Sequence, residues 1–150
     1  MKFENKLVLP VERAKLWDFL MDVPQVSSCV PGVNGLTILS DDEYKADMRV
    51  KVGPVSLNLD VHSTVEYRDR DKWEAAMRSE AKDRRIGGSA RSKTVMRLFD
   101  KGDNSTELVL ESDVVFMGRL GEFGQPLVRK KTNDMLKEFA RNLEARLTAS

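Results

Sequence analysis

From Leu36 to Met117 the chain alternates apolar and polar side chains almost without a break, and only then changes to helical spacing. That long stretch of period two constrains the fold more than any other feature, because alternation sends successive side chains to opposite faces of a strand. Residues 36–40, 43–52, 55–67, 73–81, 88–99 and 106–117 each read as a strand. Tyr44, Ala46, Met48, Val50 and Val52 interleave with Lys45, Asp47, Arg49 and Lys51, the pattern of a sheet with one wet face. The joints are Gly53-Pro54, Asp69 to Asp71, Arg85 to Gly88 and Asp100 to Asn104, short turn chemistry that predicts antiparallel hairpins in sequence order.

Residues 2–9 add a strand with Phe3, Asn5, Leu7 and Leu9 on one face, stopped by Pro10. Val11 to Met21 has the three-and-four spacing of an amphipathic helix, and the following VPQVSSCVPG allows at most another turn or two of helix. Gly118 to Leu147 returns to helical spacing and predicts the longest helix, roughly 30 Å or more at ~1.5 Å per residue. A long amphipathic helix after a meander of strands needs a surface to cover, and the concave face of a curved sheet supplies one. The expectation is an α+β fold in a single domain, 1–150.

Composition excludes several function classes. With 41% hydrophobic and 33% charged residues and a net charge of +1, nothing calls for a polyanionic partner, and nucleic acid is not expected. The lone Cys29 cannot form an internal disulfide, the N-terminus lacks a signal-peptide pattern, and no apolar run reaches a membrane span. A cytoplasmic location follows as an expectation. Cys29 and His62 are the only thiol and imidazole, so no metal site is expected; they read as a small, partly buried hydrophobe and a polar-face residue.

Two features invite function. The segment GRLGEFG, with Gly118, Gly121 and Gly124, resembles a phosphate loop only superficially: the spacing is wrong, Pro126 follows at once, and no strand succeeds the helix. It reads instead as a flexible entry to the helix, a gate in which Leu120 and Phe123 point either inward or to solvent. Lys82 to Lys101 carries seven basic residues against two acids, which is either a solvated face or a docking patch. Met48, Met77, Met96, Met117 and Met135 fall one to a segment, suiting either core filling or contact with a soft apolar guest.

Val26, Cys29, Pro31 and Gly32 after a tryptophan-bearing helix, Lys51 to Pro54 at a hairpin, Gly87, Gly88 and Ala90 opening a strand, and Asp113, Val114, Phe116, Gly118 to Leu120, Phe123 and Gly124 form an ordered set. This set resembles the carbon monoxide dehydrogenase G-subunit (CoxG) family of the START-like, helix-grip superfamily. The resemblance implies a seven-stranded antiparallel sheet gripping the C-terminal helix around an apolar cavity. It further implies service to a molybdenum hydroxylase or carbon monoxide dehydrogenase, in electron delivery, maturation or membrane recruitment, with a membrane quinone or other isoprenoid or lipid as ligand. Membrane-attaching members carry a tail beyond the helix, whereas this sequence stops at Ser150, so tethering through such a tail is not expected here.

The resulting expectation is a non-enzymatic carrier without a tightly bound cofactor, in peripheral contact with the membrane at most. Its predicted lining is Val50, Leu57, Leu59, Trp73, Met77 and Met96 from the strands, with Leu110 and Phe116 from the last strand and Leu127, Met135 and Phe139 from the helix. Rival readings are a small cyclase or hydrolase, for which Tyr44 or Asp113 would have to supply acid or base, and a ligand-free assembly factor docking through Arg91 and Lys93.

Overall fold

The computed structural model describes residues 1–149. Strand β1 (Lys2–Leu9) leads into two short helices, α1 (Arg13–Met21) and α2 (Val23–Ser27). The meander follows: β2 (Val33–Ile38), β3 (Glu43–Val52), β4 (Val55–Asp69), β5 (Glu74–Asp83), β6 (Gly88–Gly102) and β7 (Ser105–Gly118). A 3-10 turn (Arg119–Glu122) then precedes α3 (Gln125–Thr148). All seven strands form one antiparallel sheet in the order β1-β7-β6-β5-β4-β3-β2. Each hairpin is a nearest-neighbour pair, and among the described residues the only non-sequential pairing brings β1 beside β7.

Local chemistry accounts for the turns. Asp103 and Asn104 both have positive φ, 53° and 55°, between the paired Gly102 and Ser105, the mirror-image turn whose twist matches an antiparallel hairpin. Irregular register at Val65/Tyr67 and at Asp100/Gly102 interrupts the two 15-residue strands β4 and β6, and extra residues of this kind bend a sheet. The continuous helix expected from Gly118 is instead two pieces. Phe123 and Gly124 are extended, and Pro126, which lacks a backbone donor, suits the first turn of α3.

The core is divided. At one end Leu16 and Trp17 of α1 pack with Leu9, Leu98, Leu108 and the α3 residues Leu143 and Leu147, all nearly solvent-free. At the other, Val52, Leu57 and Leu120 form a smaller cluster with Ile86 and Phe123 against it. The C-terminal half of α3 is pinned by polar contacts as well. Asn142 Nδ2 donates to the Cys29 carbonyl at 2.9 Å, Arg146 Nη1 to Ser28 Oγ at 2.6 Å, and Lys15 Nζ to the Leu147 carbonyl at 2.9 Å. No comparable set ties the N-terminal half to the sheet among the described residues; Arg129 Nη1 reaches the Lys2 carbonyl at 3.2 Å.

Candidate functional site

Between the two clusters, α3 stands off the concave face and leaves a cavity of about 440 Å³. Its floor exists because the inward positions in mid-sheet are small: Ser79 and Ala81 on β5, Ala90 and Ser92 on β6, Ser112 on β7. A valine or leucine at each would close the space, as happens at the Leu98–Leu108 pair nearer α1. The roof is Thr132, Met135, Leu136 and Phe139 of α3, and Val30 and Pro31 close one side.

Every lining side chain is neutral. Hydroxyls of Ser79, Ser92, Thr94, Ser112 and Thr132 and the amide of Asn5 are the polar groups, set among aliphatic and aromatic walls. Two hydroxyl pairs are internally bonded, Ser63 with Ser79 at 2.7 Å and Thr94 with Ser112 at 2.9 Å. Among the described residues no cluster of side chains suitable for a metal ion occurs.

Of the residues predicted to line a ligand site, Leu110, Phe116, Met135 and Phe139 border this cavity. Val50, Leu57 and Leu59 do not; they belong to the second cluster, beyond one end of it. Met96 packs on the first cluster beside α1. So does Trp73, whose ring meets Trp17 edge-on at 6.0 Å between centroids and carries the Arg13 and Arg70 guanidinium groups at 4.2 and 3.6 Å. Met77 is half-buried and outside the lining, although Thr94 opposite it on β6 is within. Leu127 is 37% exposed and lies against the β3–β4 turn, with its Cδ2 3.4 Å from where a Cβ on Gly53 would stand. Alternation assigned faces correctly, but distance along the strand decides which inward residue meets the cavity and which meets solid core. The small residues that create the space carried a sequence signal, serine and alanine at inward positions, that a search for large apolar side chains passes over.

The rival acid–base residues lie elsewhere. Tyr44 donates its hydroxyl to the Asp41 carbonyl at 2.7 Å in the β2–β3 turn, and Asp113 is on the exposed face of β7.

The glycine segment is closely packed. Gly118 has φ 63° and ψ −142°, a region that only glycine adopts readily, and the next amide, Arg119 N–H, donates to the Gly87 carbonyl at 3.0 Å. A Cβ on Gly88 would stand 2.7 Å from the Leu120 backbone nitrogen, so the β5–β6 turn and the 3-10 turn approach as closely as glycine permits. Leu120 is buried, 4% exposed, and Phe123 is half-buried against the same cluster. Gly121 faces the Phe116 carbonyl, at 3.3 Å from a notional Cβ, and Gly124 would meet only the Pro126 ring at 3.8 Å. Beneath the joint, buried Asp83 accepts backbone N–H bonds from Asn58, Arg85 and Ile86 at 3.0, 2.9 and 3.1 Å. Burial alone would raise its pKa, but the three hydrogen bonds outweigh it and hold the carboxyl below the usual range.

The basic run is less positive than its sequence. Glu80 lies 3.0 Å from Lys82 and 3.6 Å from Arg91, Glu66 lies 3.8 Å from Lys93, and Asp60 lies 3.4 Å from Arg84. Arg97 is held between Glu74 at 2.7 Å and Glu111 at 3.0 Å, and Tyr67 also donates to Glu74, at 2.6 Å. The Tyr67 and Arg97 hydrogen bonds keep the Glu74 carboxyl below its ordinary pKa. Neighbouring strands thus supply carboxylates that a linear charge count cannot see.

A curved seven-stranded antiparallel sheet covered by a long C-terminal helix, with a cavity between them, defines a START-like, helix-grip protein. Solved structures agree on the fold. A conserved protein from Geobacillus kaustophilus matches with a TM-score of 0.88 at 18% identity, over 98% of this chain and 95% of that one. A START superfamily protein from Mycobacterium smegmatis matches at 0.70 and 15% identity, over 97% and 96%. The Zhui aromatase/cyclase from Streptomyces sp. R1128 matches at 0.69 and 14%, over 98% and 93%. Curated protein sequences contain no match. The chain belongs to the carbon monoxide dehydrogenase G-subunit (CoxG) family, whose model matches residues 7–148.

Proposed function

We propose that this protein is a non-enzymatic carrier that holds a hydrophobic small molecule between α3 and the concave sheet and presents it to a redox enzyme. The carrying observation is the cavity wall: a space of about 440 Å³ between α3 and the sheet, partly open to solvent and lined by apolar and hydroxyl side chains, without a charged group among its lining residues. Apolar surface buried there contributes roughly 25 cal/mol per Å², so a prenyl chain needs no ionic anchor. Membership of the CoxG family makes a carbon monoxide dehydrogenase or related molybdenum hydroxylase the partner in this reading. A membrane quinone or another isoprenoid lipid is the ligand it would carry. No helix among the described residues is long and apolar enough to cross a membrane. In this reading loading takes place by peripheral contact with the membrane, at its cytoplasmic face.

One structural neighbour is an aromatase/cyclase, which keeps a cyclisation reaction as the rival. General acid–base catalysis needs a titratable group within reach of the reacting atom, and the cavity lining offers none. The rival therefore requires a reaction driven by confinement alone.

Solvent extraction of the purified protein followed by mass spectrometry tests the carrier reading. The expected result is a co-purifying neutral lipid or quinone, or stoichiometric uptake of added quinone by empty protein. A protein that is empty and takes up no quinone overturns it.

A further inference from the structure

The polar groups of the cavity are not scattered. Ser79 on β5 is the direct cross-strand partner of Ser92 on β6. Ser92 faces Val114 and Thr94 faces Ser112 across the β6–β7 ladder, which puts Ser92 diagonal to Ser112 on the same face. Phe3 faces Ser112 and Asn5 faces Leu110 across β1–β7, which puts Asn5 diagonal to Ser112 in turn. Diagonal neighbours on one face are about 7–8 Å apart. A track of hydrogen-bonding side chains therefore crosses four strands obliquely, from Ser79 to Asn5, with Thr132 of α3 in the opposite wall.

Much of this capacity is unspent. In each bonded pair, Ser63 with Ser79 and Thr94 with Ser112, one hydroxyl donates, so one proton per pair stays available. Ser92, Asn5 and Thr132 make no side-chain hydrogen bond within the described chain, yet none of their polar atoms is sealed off, because all open onto the cavity. Sealing them beneath a hydrocarbon strips their water and returns no hydrogen bond, a desolvation loss at each group. An anionic head fares no better, since no cation lines the cavity to compensate its desolvation.

We infer that the polar track selects the ligand's chemistry: a neutral molecule with a carbonyl or hydroxyl oxygen set within its apolar body, read by Ser92, Ser112, Asn5 and Thr132. Pure hydrocarbons and carboxylate amphiphiles are discriminated against. The inference rests on the carrier reading and narrows it.

Three probes of nearly equal shape separate the possibilities in calorimetric titrations at neutral pH: 2-acetylnaphthalene, 2-isopropylnaphthalene and 2-naphthoate. The ketone is expected to bind more tightly than the hydrocarbon by about five- to tenfold, the worth of one net hydrogen bond or slightly more, and the carboxylate most weakly. In the double variant Ser92→Ala, Ser112→Ala the ketone's advantage is lost while hydrocarbon affinity is kept or improved. Thr132→Val, nearly isosteric and on the helix, reduces the same advantage without touching the sheet. Equal binding of ketone and hydrocarbon, naphthoate as the best ligand, or an advantage that survives both variants overturns the polar-track inference and leaves the carrier reading standing. Failure of all three probes to bind the folded protein overturns both.

Discussion

Asp83 is the residue on which the joint at one end of the cavity depends most. Its carboxylate gathers three backbone N–H groups from β4 and the β5–β6 turn, and no water-exposed alternative is at hand for a group 2% exposed. Asp83→Ala leaves those donors unmet and is expected to destabilise by at least about 2 kcal/mol, measured by urea denaturation. Because the folded-state pKa lies below the unfolded one, this stabilisation is complete above about pH 4 and is lost as pH falls through the folded value. The denaturation midpoint should drop on acidification in the wild type, and less steeply in Asp83→Asn. Gly118 is the companion case. Gly118→Val is expected to cost about 1–3 kcal/mol from backbone strain, whereas Gly124→Ala, with φ −68° and ordinary contacts, should be nearly silent. Thermal melts of the two variants decide between a packed joint and a flexible entry; equal and small effects favour the flexible one.

At the scale of elements, α3 is anchored unevenly. Leu143 and Leu147 are buried in the first cluster and Asn142, Arg146 and Lys15 tie that half down, while the stretch from Thr132 to Phe139 roofs the cavity. Hydrogen exchange should show amides near Val128 to Met135 losing protection before those near Leu143, with added ligand protecting mainly the former. Leu143→Ala should cost about 2–5 kcal/mol and loosen the whole helix. The elements themselves were legible from sequence: period two placed seven strands within a few residues of their observed ends, and Gly-Pro and Asp-Asn punctuation placed the turns. The break at Phe123-Gly124 was less so, because apolar spacing runs through it and only Pro126 marks where α3 begins.

At the scale of the molecule, the cavity lies where the sheet's inward residues shrink. Period-two alternation told which side chains face inward, and so Leu110 and Phe116 could be named, together with Met135 and Phe139 from the helix. It could not tell which inward positions α3 packs against and which it spans, since that depends on the curvature of β4 and β6 and on where α1 docks. Large residues such as Trp73 and Met96 consequently ended packed against the α1 cluster, while Ser79, Ala81, Ala90 and Ser92 define the void. The basic run is more nearly neutral than its sequence for a related reason: its counter-charges, Glu66, Glu74, Glu80 and Glu111, come from neighbouring strands or earlier turns of the meander. The central claim is that the space is kept empty for a guest. Ala81→Phe fills it from the floor, and the expected outcome is a folded protein, as stable as the wild type where the ring occupies the void without strain, that no longer retains ligand. The direct measurement is mass spectrometry of solvent extracts from wild type and Ala81→Phe purified side by side. A neutral isoprenoid or quinone in the wild-type extract and none in the variant is the predicted result. The same ligand content in both, or none in either with no uptake of added quinone, contradicts the account.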